Sequence, residues 1–289
     1  MSDTVTCSWI NPTGVVPSSF FSRVVDSEVG YNIMLPPEYS VSSKRFPVIY
    51  FLHGIAENEN SMPYPYVAAQ IYDAISNGEI PPIIAVFVND GNGYSFYANS
   101  PTHNIPVETI IITELIPHID KTYRTIPERI ARGICGFSMG GFGALSYSMR
   151  HTHLFGSVVA YASGFVSLGK EEGEWRLIGG SDPQPDAKIR KQIAEVMFDN
   201  NPDIFEQYDP QSLLIKHIER LRKELPVRLV VGKNCGTISY HNNFSKLMEE
   251  NDYQHDYVKV EGVGHNFGEL FKEVGIEGIK FHIRAMNIG

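Results

Sequence analysis

Ser138 lies at the centre of a glycine-rich segment, Gly136 to Gly141, with the sequence Gly-Phe-Ser-Met-Gly-Gly. The segment follows a mostly apolar run, Ile130 to Cys135, and precedes a helical pattern of small residues, Phe142 to Met149. A G-x-S-x-G sequence between a strand and a helix is typical of a nucleophile elbow, because the glycines permit a tight, strained turn that exposes the hydroxyl. The N-terminus of the new helix is directed at the same position. The motif is short, so its context decides its meaning, and here the context predicts that Ser138 is a nucleophile.

A serine nucleophile needs a base within hydrogen-bond reach, and histidine is the side chain whose pKa suits neutral pH. His265 stands out because it lies in a glycine-rich loop, Gly262 to Phe267, directly after the last predicted strand. The loops after parallel strands meet at one edge of a sheet, and a base that follows the serine in the chain fits this arrangement. We therefore predict His265 as the base. Five other histidines are expected to be solvated, namely His151, His153, His217, His255 and His282.

Ester hydrolysis also needs two backbone donors at the position where the oxyanion develops. The first is expected to be the N–H of Met139, immediately after the serine. The second usually comes from the loop after the third strand, which begins with His53, Gly54 and Ile55. We predict that Gly54 lets the backbone approach the substrate and that the Ile55 N–H is the donor. His53 is expected to be a structural residue that is hydrogen-bonded within this loop.

A second loop, Asn89 to Tyr97, follows the fourth predicted strand and should open onto the same edge. Its mixture of aromatic and polar residues suits the wall of a site for an aryl or sugar-linked ester. We therefore assign Asp90 and Tyr97, together with Gly54, to substrate binding. An ordinary turn-rich connection explains the same composition equally well.

Short apolar runs predict buried strands, and segments of helical periodicity such as Thr109 to Ile119 separate them. Strands that are apolar on both faces and alternate with helices imply an α/β fold with a mostly parallel sheet covered on both sides. An antiparallel hairpin, Ser22 to Val25 and Tyr31 to Leu35 around Glu28 to Gly30, is expected to lead into the sheet, and a helix from about Gly268 to Arg284 to close it. The predicted strands are Val48 to Leu52, Ile83 to Val88, Ile130 to Cys135, Ser157 to Tyr161, Val227 to Val231 and Asp256 to Val260.

The segment from Leu168 to Glu224 interrupts this alternation, because it is rich in charged residues, glycine and proline. It is either a long solvated excursion with one covering helix or a small cap over the pocket, since long insertions in such sheets often become lids. The chain has no internal repeat, low-complexity tract or interdomain linker. We therefore predict a single domain over residues 1–289, with 168–224 as a candidate lid.

The net charge of −9 argues against nucleic acid or an acidic membrane surface as the main partner. The sequence contains no run of about 18 apolar residues, so no transmembrane helix is expected. The N-terminus lacks the basic and apolar regions of a signal peptide, so the chain is expected to be cytoplasmic, or secreted if it is a trimmed mature form. Cys7, Cys135 and Cys235 are too few and too scattered for a disulfide framework or a zinc site, and no metal is expected. A homodimer is left open.

Taken in order, several pieces of the chain resemble the esterase D group of α/β-hydrolases, which includes feruloyl (cinnamoyl) esterases, S-formylglutathione hydrolases and the antigen 85 mycolyltransferases. The resemblance implies hydrolysis of an acyl ester through an acyl-enzyme on Ser138, with His265 as base and then acid, and no metal or organic cofactor. The matching pieces span most of the chain: Met34 to Tyr39, Phe46 to Gly54, Asp90 to Pro101, Glu114 to Asp120, Gly133 to Ala144 and Gly262 to His265.

One position departs from this pattern. In the related proteins an acid follows the penultimate strand, which here is Val227 to Val231, but the turn after it reads Gly-Lys-Asn-Cys-Gly and Cys235 occupies the position of the aspartate. A thiol is a weak hydrogen-bond partner and, if neutral, cannot stabilise an imidazolium. No Asp or Glu occurs between Glu224 and Glu249, so a small shift of the alignment does not restore the acid.

Four explanations stay open for the missing acid. Asn234 could orient His265 through its amide oxygen. A carboxylate could come from elsewhere in the chain, with Asp182, Asp203 and Asp209 as candidates. Cys235 could be an evolved or engineered replacement that leaves a slow Ser–His dyad or a thiolate partner. The protein could also be inactive and use its pocket to bind a ligand.

The leading hypothesis is a serine carboxylesterase that acts on a small acyl or cinnamoyl ester. An acyltransferase, in which an alcohol or amine replaces water, and a cyclising thioesterase would use the same elbow and base. A binding protein on a hydrolase scaffold is the hypothesis from another class. Cys235 favours it, whereas Ser138, His265 and the Gly54-Ile55 loop argue against it.

Overall fold

The computed structural model of the protein describes residues 15–61, 64–180 and 185–287. Runs of β-branched and aromatic residues form the inner strands, and every residue of Val48–Leu52, Ile84–Val88 and Ser157–Tyr161 is buried, as expected for strands covered on both faces. The strands of the described residues are β1 Val15–Ser22, β2 Ser27–Met34, β3 Val48–Leu52, β4 Ile84–Val88, β5 Asn99–Ser100, β6 Ile105–Pro106, β7 Arg132–Phe137, β8 Ser157–Tyr161, β9 Val166–Glu171, β10 Glu174–Gly179, β11 Val227–Gly232 and β12 Asp256–Val260.

Eight of these strands form one sheet in the order β1-β2-β4-β3-β7-β8-β11-β12. β2 is antiparallel to both β1 and β4, and the other neighbouring pairs are parallel. The loops after β3, β7, β11 and β12 therefore leave the sheet at the same edge. The remaining strands form two small antiparallel pairs, β5 with β6 and β9 with β10.

Helices cover both faces of the sheet. Alternate residues of β3 face opposite sides: Ile49 and Phe51 pack into the core under α1 and α9, whereas Val48 and Tyr50 pack into the core shared with α4 and α8. The helices are α1 Tyr64–Ser76, α2 Val107–Thr109, α3 Ile116–Thr122, α4 Met139–Arg150, α5 Ala187–Phe198, α6 Pro202–Glu206, α7 Pro210–Glu224, α8 Ile238–Glu249 and α9 Phe267–Ala285. In the described parts of the chain, no helix combines the length and the apolar character needed to cross a membrane.

This architecture confirms the predicted α/β class, and β3, β8 and β12 have the predicted bounds. The strand before the elbow spans Arg132–Phe137 rather than Ile130 to Cys135, because a 3₁₀ turn, Arg129–Ala131, precedes it. The predicted helix from Thr109 to Ile119 is the centre of a longer helical stretch, in which a π-helical segment, Ile110–Leu115, joins α2 to α3.

Two predictions in this part of the fold are wrong. The hairpin turn lies at 23–26, not at Glu28 to Gly30, and Gly30 pairs with Ser19 inside the ladder, where a Cβ would contact the Glu59 carboxylate. The glycine therefore serves close packing rather than a turn. His282 is fully buried instead of solvated, because its ring packs against Gly133 and its Nδ1 lies 2.7 Å from the hydroxyl of Ser157.

The segment between β8 and β11 contains the β9–β10 hairpin and three helices, α5 to α7. Arg190 of α5 donates from Nη1 to the Leu177 carbonyl at 2.8 Å, which fastens the helix to the hairpin. α7 packs against α4, the helix that follows the elbow. Leu177 of the hairpin and Ile193 of α5 line one cavity with Ser138, at the edge of the sheet where the loops meet.

Candidate active site

A single residue, Ser138, connects β7 to α4. Its backbone has φ 54° and ψ −116°, a strained combination for a residue with a side chain. Two hydrogen bonds hold this turn: the Ser138 N–H donates to the Tyr161 carbonyl at 3.0 Å, and the Gly164 N–H donates to the Ser138 carbonyl at 2.8 Å. This is the geometry of a nucleophile elbow, and it raises the hydroxyl above the edge of the sheet.

The two glycines that flank Ser138 in the motif allow backbones to approach closely. A Cβ at Gly140 would collide with the carbonyl group of Leu52 in β3, and one at Gly136 would collide with the carbonyl group of Gly140. Any side chain would therefore separate the start of α4 from the strands that it covers. The G-x-S-x-G spacing follows from this packing rather than from positive φ angles at the glycines.

His265 reaches Ser138 from the loop after β12. Its Nε2 lies 2.9 Å from Ser138 Oγ. The Phe137 ring lies against the imidazole with 4.7 Å between the ring centroids, and the side chain of Asn266 caps α9 immediately after it. Burial lowers the pKa of His265 to about 4, because the charged form of the imidazole loses its hydration. The imidazole is therefore neutral at physiological pH, as a general base requires.

Cys235 lies on the opposite side of the imidazole. Its Sγ is 3.2 Å from His265 Nδ1 and 3.1 Å from Thr237 Oγ1, and the residue is 2% exposed. Backbone bonds fix the turn that carries it, because the Lys233 N–H donates to the Val260 carbonyl at 2.8 Å and the Asn234 N–H donates to the Val263 carbonyl at 3.0 Å. The loops after β11 and β12 are thus joined, and the side chain at position 235 faces Nδ1.

The contact between Cys235 and His265 is compatible with two arrangements of the protons. If Nδ1 carries the ring proton and donates it to sulfur, Nε2 is free to accept the proton of Ser138. If the thiol donates to Nδ1, the ring proton is on Nε2 and the imidazole cannot act as a base. A carboxylate has no proton to donate, so it would select the first arrangement, whereas a thiol allows both.

The other candidates for the acid lie elsewhere in the described residues. Asn234 and Asp203 are exposed. Asp209 caps α7, where its carboxylate accepts from the N–H and the hydroxyl of Ser212 at 2.9 and 2.7 Å. Asp182 lies outside the described residues. Among the residues that the structure describes, Cys235 is the side-chain partner of His265 Nδ1.

Two backbone N–H groups lie beside the serine. Ile55 and Met139 line the same small cavity as Ser138. Met139 is the first residue of α4, so its N–H has no acceptor one turn earlier in the helix. The neighbours of Ile55 are occupied, since the Gly54 N–H donates to the Glu57 carboxylate at 2.8 Å and the Ala56 N–H donates to the Gly93 carbonyl at 2.7 Å. Within the described ranges the Ile55 N–H has no acceptor.

A buried contact between His53 and Asp90 supports the loop that carries Ile55. His53 donates from Nδ1 to the Gly54 carbonyl at 2.8 Å, and its Nε2 accepts from the Asp90 N–H at 3.3 Å and lies 3.3 Å from Asp90 Oδ1. Burial opposes the charged imidazole, but the hydrogen bond and the charge of Asp90 outweigh it and raise the pKa of His53. The same contacts lower the pKa of the Asp90 carboxyl against the effect of its burial. His53 is therefore bonded within its loop, as predicted, and Asp90 is its partner.

The prediction that Gly54, Asp90 and Tyr97 form the substrate wall needs correction, because none of them lines the cavity at Ser138. The Gly54 N–H is bonded to Glu57. The Asp90 carboxylate is directed into its own loop, where it accepts from the hydroxyl of Ser95 at 2.6 Å. Tyr97 is fully buried and donates its hydroxyl to the His53 carbonyl at 3.1 Å. These residues shape the loops from behind.

The cavity at Ser138 has a volume of about 30 Å³. Mostly apolar residues of the loops after β3, β4 and β8, of the β9–β10 hairpin and of α5 line it, together with Arg190. The lining residues, besides Ser138 and the two backbone donors, are Phe96, Gly164, Val166, Leu177, Gly179, Gly180, Pro185, Arg190 and Ile193.

Sequence reasoning missed two residues that connect parts of the site. Thr237 contacts Cys235 Sγ, and its carbonyl accepts from Nδ1 of the fully buried His241 at 3.0 Å. Nε2 of His241 then accepts from the N–H of Ser163, next to the glycine that bonds the elbow. Burial lowers the pKa of His241 to about 4, which keeps it neutral and able to accept. The spacing of Thr237 and His241, one helical turn apart after the acid position, is the sequence signal.

A mostly parallel sheet with a serine elbow after β7 and a histidine loop after β12 defines an α/β-hydrolase. Comparison with known families agrees with the site. The chain belongs to the family described as "Putative esterase", whose model matches residues 22–276. This match confirms the resemblance to the esterase D group.

Two curated relatives illustrate this membership. The chain is 32% identical to Esterase Rv1288 of Mycobacterium tuberculosis (strain ATCC 25618 / H37Rv) over 164 residues, which cover 54% of this chain and 34% of that protein. It is 33% identical to an endo-1,4-beta-xylanase/feruloyl esterase of Xylanibacter ruminicola over 153 residues, which cover 51% of this chain and 21% of the relative. The chain thus matches about a third or less of the length of these proteins.

Solved structures resemble the chain over nearly its whole length. A ferulic acid esterase superposes with a TM-score of 0.74 at 25% identity, covering 94% of this chain and 98% of that one. An S-formylglutathione hydrolase from Agrobacterium tumefaciens superposes with a TM-score of 0.70, covering 94% and 95%, and at 17% identity it shows the shared fold alone.

Proposed function

We propose that this chain is a serine carboxylesterase that hydrolyses a small acyl or cinnamoyl ester through a covalent acyl-enzyme on Ser138. The observation that carries the proposal is the 2.9 Å contact between Ser138 Oγ and His265 Nε2 at a strained elbow. A hydroxyl bonded to a neutral imidazole, beside two backbone N–H groups, suits nucleophilic acyl transfer. The names of the relatives, feruloyl esterase and ferulic acid esterase, support a cinnamoyl ester as one substrate class.

In the first half-reaction, Ser138 Oγ attacks the ester carbonyl while His265 Nε2 accepts its proton. The N–H groups of Ile55 and Met139 donate to the oxygen that becomes negative in the tetrahedral intermediate. The C–O bond to the alcohol then breaks, and the imidazolium gives its proton to the departing alkoxide. In the second half-reaction a water molecule attacks the acyl carbonyl while His265 Nε2 accepts its proton. The bond between the acyl group and Ser138 Oγ then breaks, the imidazolium returns the proton to Ser138, and the carboxylic acid is released.

Cys235 takes the position of the triad acid in this scheme and acts on Ser138 only through His265. Because a thiol stabilises an imidazolium less than a carboxylate does, each proton transfer through His265 is slower than in a complete triad. The oxyanion donors and the elbow remain, and these supply part of the rate enhancement without the acid. The expected enzyme is therefore slow but active.

Residues 168–224 serve as a cover for this site within a single domain. The β9–β10 hairpin and α5 contribute Leu177, Arg190 and Ile193 to the cavity at Ser138, which supports this role. A cover that excludes water from the ester would strengthen the hydrogen bonds to the oxyanion.

The proposal is tested by burst kinetics with p-nitrophenyl acetate and by mass spectrometry of the acylated protein. The wild type should release p-nitrophenol in a burst close to the enzyme concentration and gain one acyl group on Ser138. Ser138→Ala should lose both the burst and the label, whereas Ser76→Ala, on the exposed face of α1, should keep them. Wild-type protein that hydrolyses no ester, or that keeps its activity as Ser138→Ala, would contradict the proposal.

A further inference from the structure

Ile193 separates two cavities of very different size. One is the cavity of about 30 Å³ at Ser138. The other is a groove of about 350 Å³ along the outer side of α5, past Tyr94 and Val196. Among the described residues, Ile193 alone lines both. Ile193 therefore borders both the space at the nucleophile and the larger groove.

This wall is held firmly. Ile193 is 2% exposed. Hydrogen bonds fasten α5 on either side of it, since Arg190 Nη1 donates to the Leu177 carbonyl at 2.8 Å and the Ser100 hydroxyl donates to the Val196 carbonyl at 2.5 Å. A rotation of α5 that moved Ile193 aside would break these bonds. The partition is thus part of the folded structure and not a loosely packed surface side chain.

Another wall of the small cavity is equally rigid. Phe96 is 4% exposed, adopts a positive φ of 49°, and meets Phe142 edge to face with 5.2 Å between the ring centroids. A side chain in this backbone conformation and packed on α4 has little freedom to turn away. The cavity therefore does not widen readily towards the loop of Phe96.

The volume of the cavity limits what can be bound beside Ser138. With a volume of about 30 Å³, the cavity leaves room beside Ser138 for a short alkyl group. That is the tail of an acetyl, propionyl or butyryl group. The vinyl group and benzene ring of a cinnamoyl ester are larger than such an alkyl group.

We infer that Ile193 determines acyl-chain length, so that the wild type accepts short acyl groups and the loss of this side chain joins the cavity to the groove and admits long or aromatic ones. The inference rests on the proposed function, because it concerns the acyl group that Ser138 receives. It chooses between the two substrate classes that the proposed function leaves open. The groove is wide enough for the excluded groups, and its Tyr94 and Val196 offer them apolar contacts.

The test compares kcat/KM for p-nitrophenyl acetate, butyrate, hexanoate and octanoate, and for methyl ferulate, in four proteins. These are the wild type, Ile193→Ala, the milder Ile193→Val, and Ile189→Ala as the matched control. Ile189 lies one turn earlier on α5 and lines the groove but not the cavity at Ser138. The kcat/KM of the wild type should fall at least about tenfold from butyrate to octanoate, which is the size of effect that one methylene group can have in a hydrophobic pocket.

Ile193→Ala should raise the octanoate-to-acetate ratio by about tenfold or more, Ile193→Val should raise it by less, and Ile189→Ala should leave it within about twofold. If Ile193→Ala does not fold, the direction of change in Ile193→Val decides. The inference is overturned if the wild type cleaves octanoate or methyl ferulate as well as acetate, or if the folded Ile193 variants keep the wild-type profile. Both outcomes leave a Ser138-dependent burst with acetate intact, so they are distinguishable from failure of the proposed function, in which that burst is absent.

Discussion

The substitution Cys235→Asp should turn a slow Ser–His pair into a fast triad. The thiol lies 3.2 Å from His265 Nδ1, and an aspartate at this position has nearly the same size and reaches the same ring atom. The Thr237 hydroxyl, 3.1 Å from the sulfur, can donate to the new carboxylate. Because backbone bonds of the turn and not the side chain fix the position, we expect the variant to keep the geometry of the site.

The expected gain follows from the charge that appears in the transition state. At the observed 3.2 Å, two unit charges attract each other by about 5 kcal/mol at an effective dielectric constant of about 20. This attraction exists only when His265 is protonated, as it is in the transition state, so it lowers the barrier of the reaction. The upper limit of the gain is a little less than four powers of ten in rate, or about 10⁴-fold. Burying the carboxylate costs several kcal/mol, but this cost is common to the ground and transition states and reduces stability instead. We expect kcat to rise by about a hundredfold to ten-thousandfold.

The assay is kcat for p-nitrophenyl acetate, normalised to active sites by the burst amplitude. Cys235→Asn is the matched control, because it has the size of aspartate and can accept from Nδ1 but carries no charge. A pH profile adds a second measurement, since a carboxylate beside Nδ1 should raise the pKa of His265 above its value of about 4 and move the acid limb of the profile towards neutral pH.

The result that refutes this reasoning is a folded Cys235→Asp variant whose turnover matches that of Cys235→Asn and whose acid limb does not move. The side chain at position 235 would then not interact with the charged imidazole during the reaction. A loss of activity in both variants would also contradict it, since that pattern would show that the sulfur itself is required.

Two further predictions concern the base and the oxyanion loop. For the wild type, the base must be the neutral imidazole of His265, whose fraction falls as the pH is lowered through its pKa of about 4. We therefore expect kcat/KM to stay level from neutral pH to about 5 and to be halved near pH 4. Initial rates measure this, with circular dichroism as a check that the protein stays folded, and a midpoint near pH 6.5 would contradict the prediction. For the buried contact of His53 and Asp90, Asp90→Asn should cost about 1 to 3 kcal/mol of unfolding free energy in urea, because an amide replaces the carboxylate that accepts hydrogen bonds from Gly93 and Ser95, and should lower kcat more than it raises KM. Asp73→Asn, exposed on α1, is the control, and equal stability of the two variants would be evidence against the pair.

The sequence was a good guide wherever a local pattern determines the structure. Short, mostly apolar runs predicted β3 and β8 with their bounds, because strands covered on both faces tolerate few polar residues. The elbow and the His265 loop were predicted from glycine spacing and from their places after strands. The parallel order of β7 and β12 then directs both loops to one edge, so the pairing of Ser138 with His265 follows from topology.

Other features depend on contacts between distant segments, which a single sequence does not reveal. Gly30 has the signature of a turn, but it lies in a strand because the Glu59 side chain occupies the space beside it. His282 has the surroundings of a surface residue in the chain, yet Gly133 of a distant strand provides the space that buries it. Asp90 and Tyr97 were assigned to substrate binding because of their chemical types. In the structure, Asp90 contacts His53 and the Ser95 hydroxyl, and Tyr97 donates to the His53 carbonyl, so both residues support the loops instead.

The position of Cys235 lies between these two cases. The sequence identifies the acid position only by its place after β11, and the side chain there gives no chemical sign of the role. In the structure, the sulfur faces two groups that can each donate a hydrogen bond, His265 Nδ1 and the hydroxyl of Thr237. Two converging donors form a site suited to an acceptor with negative charge, and a thiol satisfies it poorly. The backbone of the site therefore resembles that of a complete triad, and under the proposed function the side chain at position 235 limits the rate, which is why a single substitution should be sufficient to test the arrangement.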